Sequence, residues 1–404
     1  MFSLKWFNTP SIGTTEKSPR KLEGPIMNMP DLVMRKIMEN VDFTTMLKLR
    51  KVCHSFRNFI DETKLDNDLA RVNINVTPSA IYAILNFVSS SREFVYLYYI
   101  RYGKSCLFKI REGGIEEAKL IKNQDFVDAF FNDFGFILRN QSKPLKNMNI
   151  DKLSYTPNHY DQDLKTTYSI NEWCTGTRQL KDTFDAGKHL REINKKYALQ
   201  PTDDKFHDRF DCILKSRVSP IPIKNLEMRV LRPSYFLNMI RLIDMNQLRG
   251  IEISKAYEEN DDEDGKQLVL NEIVELDVFK RIQILNIGNF KVTVPLELFL
   301  HIPDLTLSIS TLTIEDVLLI KKNMLTSSTE KFRGVYYDRI EDKDTVHNTL
   351  GHANLHDSYL QGNILCWYFK LPESDQALEI RNYGKRFWFT WTNALWIPKN
   401  DVVY

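Results

Sequence analysis

The chain has 404 residues, of which 55 are basic and 53 acidic, for a net charge of +2. Its hydrophobic content of 43% is that of an ordinary soluble protein with room for two or three domains. So even a balance of charge offers no general basic field for nucleic acid. No apolar run approaches the ~20 residues of a membrane span. The opening Met1-Phe2-Ser3-Leu4-Lys5-Trp6-Phe7 lacks the apolar core of a secretory signal. The five cysteines, Cys53, Cys106, Cys174, Cys212 and Cys366, are widely separated, as buried thiols in a reducing compartment would be. The expected location is the cytoplasm or the nucleus.

In chain order, residues 1–24 mix Ser, Thr, Gly, Pro and Lys without period and read as a flexible leader. Residues 25–64 form the first expected domain, three short helices. Pro30 suits a first helical position and Asp31 places negative charge at the positive end of the dipole. Val33, Ile37 and Val41 recur at four-residue steps, with Met34 and Met38 on the adjoining flank. Asp42 or Thr44 can cap a second helix carrying Met46, Leu49, Val52 and Cys53, and Phe56 and Ile60 extend the stripe into a third. A domain of roughly 40 residues usually needs a partner or a crosslink. This stripe is expected to be covered by another protein.

Met29-Pro30, the Ile37 and Val41 spacing, Leu49-Arg50, Val52-Cys53 and Phe56-Arg57 resemble an F-box. The resemblance implies binding to the Skp-type adaptor of cullin–RING ubiquitin ligases. It departs from the family pattern mildly, with Met29 where Leu is usual and Phe56 where Trp is common. It carries Met29, Pro30, Val33, Ile37, Met46, Leu49, Val52 and Phe56 over as adaptor-contacting or interface-forming positions, some of which, Val33 and Ile37 first, could instead pack the bundle's interior.

Residues 65–152 read as a linking α/β region. Val72-Asn73-Ile74-Asn75-Val76 alternates as a strand does, and Pro78 is expected to start a helix through Ile81, Ile84, Leu85 and Val88. Strands over residues 94–102 and 106–110 meet across Gly103-Lys104 as a hairpin. A helix over residues 125–139 buries Phe126, Phe130, Phe134 and Ile137. Residues 153–204, with Asn158, His159, Trp173, Cys174, Gly176 and Gly187, fit none of these patterns and read as a variable insertion.

Leu145, Met148 and Ile150 open a pattern that returns at Ile223, Leu226, Met228, at Leu248, Ile251, Ile253, at Ile282, Leu285, Ile287 and at Ile302, Leu305, Leu307. Helical segments are expected between these strands at residues 235–243, 271–279, 295–301 and 313–324. One strand plus one helix per repeat suggests an irregular, leucine-rich-repeat-like α/β solenoid; ordinary β-α alternation in an open sheet is the other reading. Ile223-Lys224-Asn225-Leu226, residues 268–276, Leu312-Thr313-Ile314-Glu315-Asp316-Val317 and Ile320-Lys321-Lys322-Asn323 resemble the FTH domain that follows the F-box in a large nematode-expanded family. The resemblance spans residues 205–345, and Phe126-Val127-Asp128-Ala129-Phe130-Phe131 with Phe134 resembles that family's linking region. Residues 346–404 hold Trp367, Trp388, Trp391 and Trp396, and long strands over 364–371 and 377–391 are expected to cap the array.

Residues that could carry chemistry are sparse. There is no G-x-G-x-x-G, Walker-type loop, H-E-x-x-H or nucleophile elbow. His352 and His356, near His347, stand at i and i+4, but Asn348, Thr349, Gly351 and Asn354 around them favour a polar loop over a zinc site. Asn260, Asp262, Asp264 and Gly265 imitate a calcium loop, yet its twelfth position is Asn271 rather than Glu, so a solvated acidic loop is expected. Arg381-Asn382-Tyr383-Gly384-Lys385-Arg386-Phe387-Trp388-Phe389 could stack bases, but reads better as a strand with one face in the core.

The expected function is therefore that of a non-catalytic substrate receptor in a Skp–cullin–F-box ubiquitin ligase, without cofactor or metal. Its target is expected to dock on the residues between inward strand positions, Glu227, Arg229, Glu252, Ser254, Asn286, Thr306 and Ser308, or on the aromatic strands. Two other readings stay open: an adaptor-binding scaffold outside any ligase, and an enzyme or nucleic-acid binder whose F-box is incidental.

Overall fold

The computed structural model describes residues 29–41, 43–50, 52–63, 68–88, 94–152, 168–169, 183–184, 197–256, 267–327, 331–358, 362–371 and 374–404. Two compact units emerge, Met1–Leu65 and Asp66–Tyr404. The leader expected over residues 1–24, the calcium-like loop and most of the insertion lie outside the described residues.

The first unit holds α1 (Asp31–Glu39), α2 (Phe43–Arg50) and α3 (His54–Thr63). Pro30 stands one residue before α1, and its carbonyl accepts the N–H groups of Val33 and Met34 at 2.9 and 3.1 Å. Met34 and Met38 of α1, Met46 and Leu47 of α2, and Phe56 and Ile60 of α3 are all buried. Arg50 grips Asp61 with two parallel hydrogen bonds, Nε to Oδ1 at 2.6 Å and Nη2 to Oδ2 at 3.1 Å, tying α2 to α3.

The second unit begins with β1 (Leu69–Val76), β2 (Ala80–Phe87), β3 (Phe94–Tyr102), β4 (Ser105–Glu112) and β5 (Ile115–Ile121), then α4 (Phe126–Asn140) and β6 (Leu145–Lys152). Two-residue strands β7 (Tyr168–Ser169) and β8 (Thr183–Phe184) pair with each other. After them come α5 (Gln200–Lys215), β9 (Ile223–Val230), α6 (Pro233–Ile240), β10 (Gly250–Lys255), β11 (Gln267–Leu268), α7 (Asn271–Val274), β12 (Ile284–Gly288), β13 (Lys291–Val292) and β14 (Asp304–Leu312). The remaining elements are α8 (Ile314–Thr326), β15 (Phe332–Ile340), α9 (Lys343–Leu350), β16 (Asn354–Ser358), β17 (Gly362–Lys370), β18 (Gln376–Asn382) and β19 (Arg386–Asn393).

Fifteen of the described strands join one sheet in the order β16-β17-β18-β19-β15-β14-β12-β10-β9-β6-β1-β2-β3-β4-β5. Its middle, from β1 through β6, β9, β10, β12 and β14 to β15, is parallel. Both flanks are antiparallel. The fold is mixed α/β around a large sheet, with a helical unit before it. The flanks repeat no strand-helix unit, so the expected solenoid does not describe the sheet as a whole.

Registered rows of side chains explain the middle block. Val72, Met148, Leu226, Ile251, Leu285 and Leu305 lie side by side across six strands, and all are buried. Arg333 continues that row on β15, between Leu305 and Phe389. Although 1% exposed, it is anchored: Nη1 donates to the Pro303 carbonyl at 2.6 Å and Nη2 to the Leu300 carbonyl at 3.0 Å. α4 and α5 pack through Phe130, Phe131, Phe206 and Phe210.

Several expected elements differ. Residues 80–87 are strand β2, not a helix. Thr77 Oγ1 accepts the Ala80 N–H at 3.0 Å, closing a turn at Pro78, and a strand apolar on both faces satisfies either periodicity. The helix over 271–279 is a four-residue α7 followed by a 3-10 turn, Asp277–Arg281, and that over 295–301 is the 3-10 turn Leu296–Phe299. The strand over 377–391 is the hairpin β18–β19, because Gly384 takes φ +91° and reverses the chain. Strands β5, β15 and β16 lie outside the expected elements, and β16 occupies part of the expected polar loop.

Candidate functional site

Two surfaces stand out, one on each unit. On α1, Leu32, Val33 and Ile37 are 73%, 44% and 36% exposed, on the side of the helix away from Met34 and Met38. Met29, before the helix, is 40% exposed, Pro30 is exposed, and Val52, after α2, is 66% exposed. Leu49 is half-buried. Met46 and Phe56 sit inside the bundle instead, so of the positions carried over from the F-box pattern these two hold the helices together rather than face outward. Leu32 was missed. Its signal was available: methionines at 34 and 38 can fill the interior only by turning Leu32 out.

The second surface is the face of the parallel block opposite the buried rows. Asn149, Glu227, Glu252, Asn286, Thr306 and Gly334 fall in one register across β6, β9, β10, β12, β14 and β15, and Trp388 of β19 follows. Glu227, Arg229 and Glu252 are exposed, while Ser254, Asn286 and Thr306 are half-buried. Six of the seven expected docking positions thus share this face with solvent access. Ser308 does not. It is 4% exposed, a small hydroxymethyl group in register beside the bulk of Tyr336.

The face is polar and electrically uneven. Burial, and then the neighbouring Glu252 and Asp151, push the Glu227 carboxyl above its ordinary pKa. Burial likewise raises Asp151, against the pull of Arg229, whose Nη1 lies 3.1 Å from Oδ1. At the β19 end the character changes to aromatic. The Arg386 guanidinium lies 4.5 Å from the Tyr383 ring centre and 4.8 Å from that of Trp388, and Trp388 meets Phe332 edge-on at 5.9 Å.

The possible zinc pair takes no helical form. His352 lies in a bend and His356 in β16, where its Nε2 is 2.6 Å from Asp401. Trp367 is fully buried, Trp388 and Trp391 are half-buried and Trp396 is 79% exposed, so the aromatic strands both close the core and leave rings outside it.

No curated protein and no solved structure matches the chain. Two family models do: one for the F-box domain over residues 26–68, around the three helices, and one for the FTH domain over residues 204–352, from α5 through α9. The chain accordingly carries an F-box domain followed by an FTH domain.

Proposed function

We propose that this chain is the substrate receptor of a Skp–cullin–F-box ubiquitin ligase, acting in the cytoplasm or nucleus. The helical unit holds a Skp-type adaptor and through it the cullin. The sheet unit, read as a domain over residues 205–345 with its linking region (65–152), an insertion (153–204) and an aromatic cap (346–404), holds the target. Within it the parallel block from β6 to β15 acts as an irregular leucine-rich-repeat-like array, offering its uncovered face. The chemistry belongs to the conjugating machinery. This chain raises the effective concentration of target lysines near it.

The carrying observation is the apolar surface on α1 and beside α2. Fully burying a Val, Leu, Ile or Met side chain contributes roughly 1.5–3 kcal/mol. Weighted by their exposures, Met29, Leu32, Val33, Ile37 and Val52 offer about 4–8 kcal/mol of gross burial to a partner. Pro30 and Leu49 border them, with Met46 and Phe56 fixing the helices beneath.

The test is co-purification with a recombinant Skp-type adaptor and cullin. Leu32→Asp and Ile37→Asp should each abolish adaptor capture, and Glu227→Lys/Glu252→Lys should leave it intact while weakening target capture. Adaptor capture unchanged in both aspartate variants would refute the receptor reading. Adaptor capture without cullin would favour a scaffold outside the ligase.

A further inference from the structure

At one end of the sheet β15 and β19 part company. Their ladder stops at Arg333 opposite Phe389, but β19 runs on to Asn393. The gap is a cleft of about 490 Å³, with Pro303, Asp304, Lys331 and Phe332 on one wall and Thr390 to Asn393 and Trp396 on the other.

Backbone geometry makes that second wall an open strand edge. In antiparallel pairing, alternate residues turn N–H and C=O toward the same neighbour. The Tyr337 N–H donates to the Lys385 carbonyl at 3.1 Å, so odd-numbered residues of β19 face β15. Trp391 and Asn393 therefore turn their backbone groups into the gap, where no described strand meets them. On the other side, β18 pairs with β19 all the way to Asn393 and holds it extended.

The side chains narrow the choice of occupant. Trp391 and the 79% exposed Trp396 offer broad apolar surface. Lys331, half-buried, has no ion-pair partner among the described residues, and burial together with the Arg333 charge lowers its pKa. The one carboxylate on that wall, Asp304, is felt by Arg333 as a neighbouring negative charge and forms no ion pair with Lys331 among the described residues. A cation in such a place is stabilised by an incoming acid.

We propose that this gap is a docking slot for an extended segment of the target protein, added to β19 as a further strand with an acidic side chain beside Lys331. The proposal rests on the reading of the chain as a target receptor and locates one contact of that target. Main-chain hydrogen bonds would supply affinity, and the aromatic cleft with Lys331 would supply sequence preference.

The experiment pans a display library of random linear peptides on the full chain bound to its adaptor, then measures the enriched peptides by fluorescence anisotropy. Enriched peptides should carry an acidic residue among alternating apolar ones. N-methylation along the peptide should weaken binding at every second residue only. Lys331→Glu and Trp396→Ala should each weaken binding by about tenfold, and Trp396 is exposed enough for its truncation to leave the fold intact. Panning that yields no binder, N-methylation without alternation, or binders indifferent to both substitutions would overturn the slot. Adaptor capture measured in parallel separates the two readings: if it persists while the slot fails, only the slot is wrong.

Discussion

The sheet unit contains an ion pair that should cost more than it contributes. Lys152, at the end of β6, lies 2.6 Å from Asp203 of α5, and both side chains are 0% exposed. With an effective dielectric near 20, two unit charges at that distance attract by about 6 kcal/mol. Several kcal/mol of desolvation per ion oppose this. The outcome is visible in both partners. Burial lowers the Lys152 pKa and raises that of Asp203, each against the pull of the other charge. Asp203→Asn would leave the ammonium buried over the Phe206 ring, 3.8 Å from its centre, without its ion-pair partner and with the Asp151 charge as a weaker offset, and should destabilise the unit by roughly 3–5 kcal/mol. Lys152→Met alone strands the carboxylate and should cost a similar amount. Lys152→Met/Asp203→Leu removes both charges and places a thioether against the same ring, a contact that suits sulfur. This variant should be neutral or more stable by about 1–4 kcal/mol. Urea unfolding followed by tryptophan fluorescence would measure all three. A double variant that loses as much as the two single variants together would refute the reasoning, because the two charges would then not be coupled.

Six of the seven parallel strands, β1, β6, β9, β10, β12 and β14, were legible because their buried apolar residues recur at alternate positions, whereas Arg333, Gly334 and Val335 are buried in succession in β15 and blur the period. In β9, Leu226, Met228 and Val230 point inward and Glu227 and Arg229 outward, so a period of two appears in the letters. β2 hides the same structure: Ala80, Ile81, Tyr82 and Ala83 are all buried, and with both faces apolar the spacing of Ile81, Ile84, Leu85 and Val88 fits a helix equally well. β5 fails for a different reason, since the adjacent Glu116 and Glu117 and the adjacent Leu120 and Ile121 break the alternation of its apolar letters. In α1 the Val33 and Ile37 stripe is exposed, as expected of a stripe left for another protein, and their alternative role inside the bundle is taken by Met34 and Met38. Leu32, Val33, Met34, Ile37 and Met38 are five apolar residues in nine, enough to draw a stripe on either side. Tertiary packing chose the methionines, whose unbranched chains reach into a small interior, and left the branched residues exposed. The slot beside β19 had no sequence signal, because it arises where two strands end at different lengths.

Arg333→Met should cost about 3 kcal/mol, measured by denaturant unfolding, because the Pro303 and Leu300 carbonyls would lose their charged donor. Gly351→Ala should lower stability by roughly 2 kcal/mol in the same assay, since residue 351 sits at φ +93° and a Cβ there would meet the Tyr404 ring at 2.5 Å. Breaking the Arg50–Asp61 pair by Asp61→Asn should shift the helical unit by only about 1 kcal/mol, because Asp61 is partly in water. His207 should make stability fall below neutral pH. Its ring stacks on Tyr235 at 4.0 Å, and its Nε2 lies 3.5 Å from the Asp203 carboxylate, with Lys152 held at the same carboxylate. Asp204 and Arg232 complete the charged surroundings through Tyr235. Burial first, and then the Lys152 charge, hold the imidazole pKa well below 6.5, so the folded protein keeps it neutral. The unfolded chain binds a proton near pH 6.5 and the folded one does not. The contribution is therefore complete above that pH and declines as pH falls, by at most about 1.4 kcal/mol per unit. Asp203, raised by burial, titrates on the acidic side and acts in the opposite sense, because its protonated form is the one the fold favours. His207→Phe keeps the stack and removes the titration, so the wild-type and variant curves should differ in slope between pH 5 and about 6.5. Parallel curves across that range would mean that the imidazole is protonated in the folded state, with Asp203 outweighing both burial and Lys152.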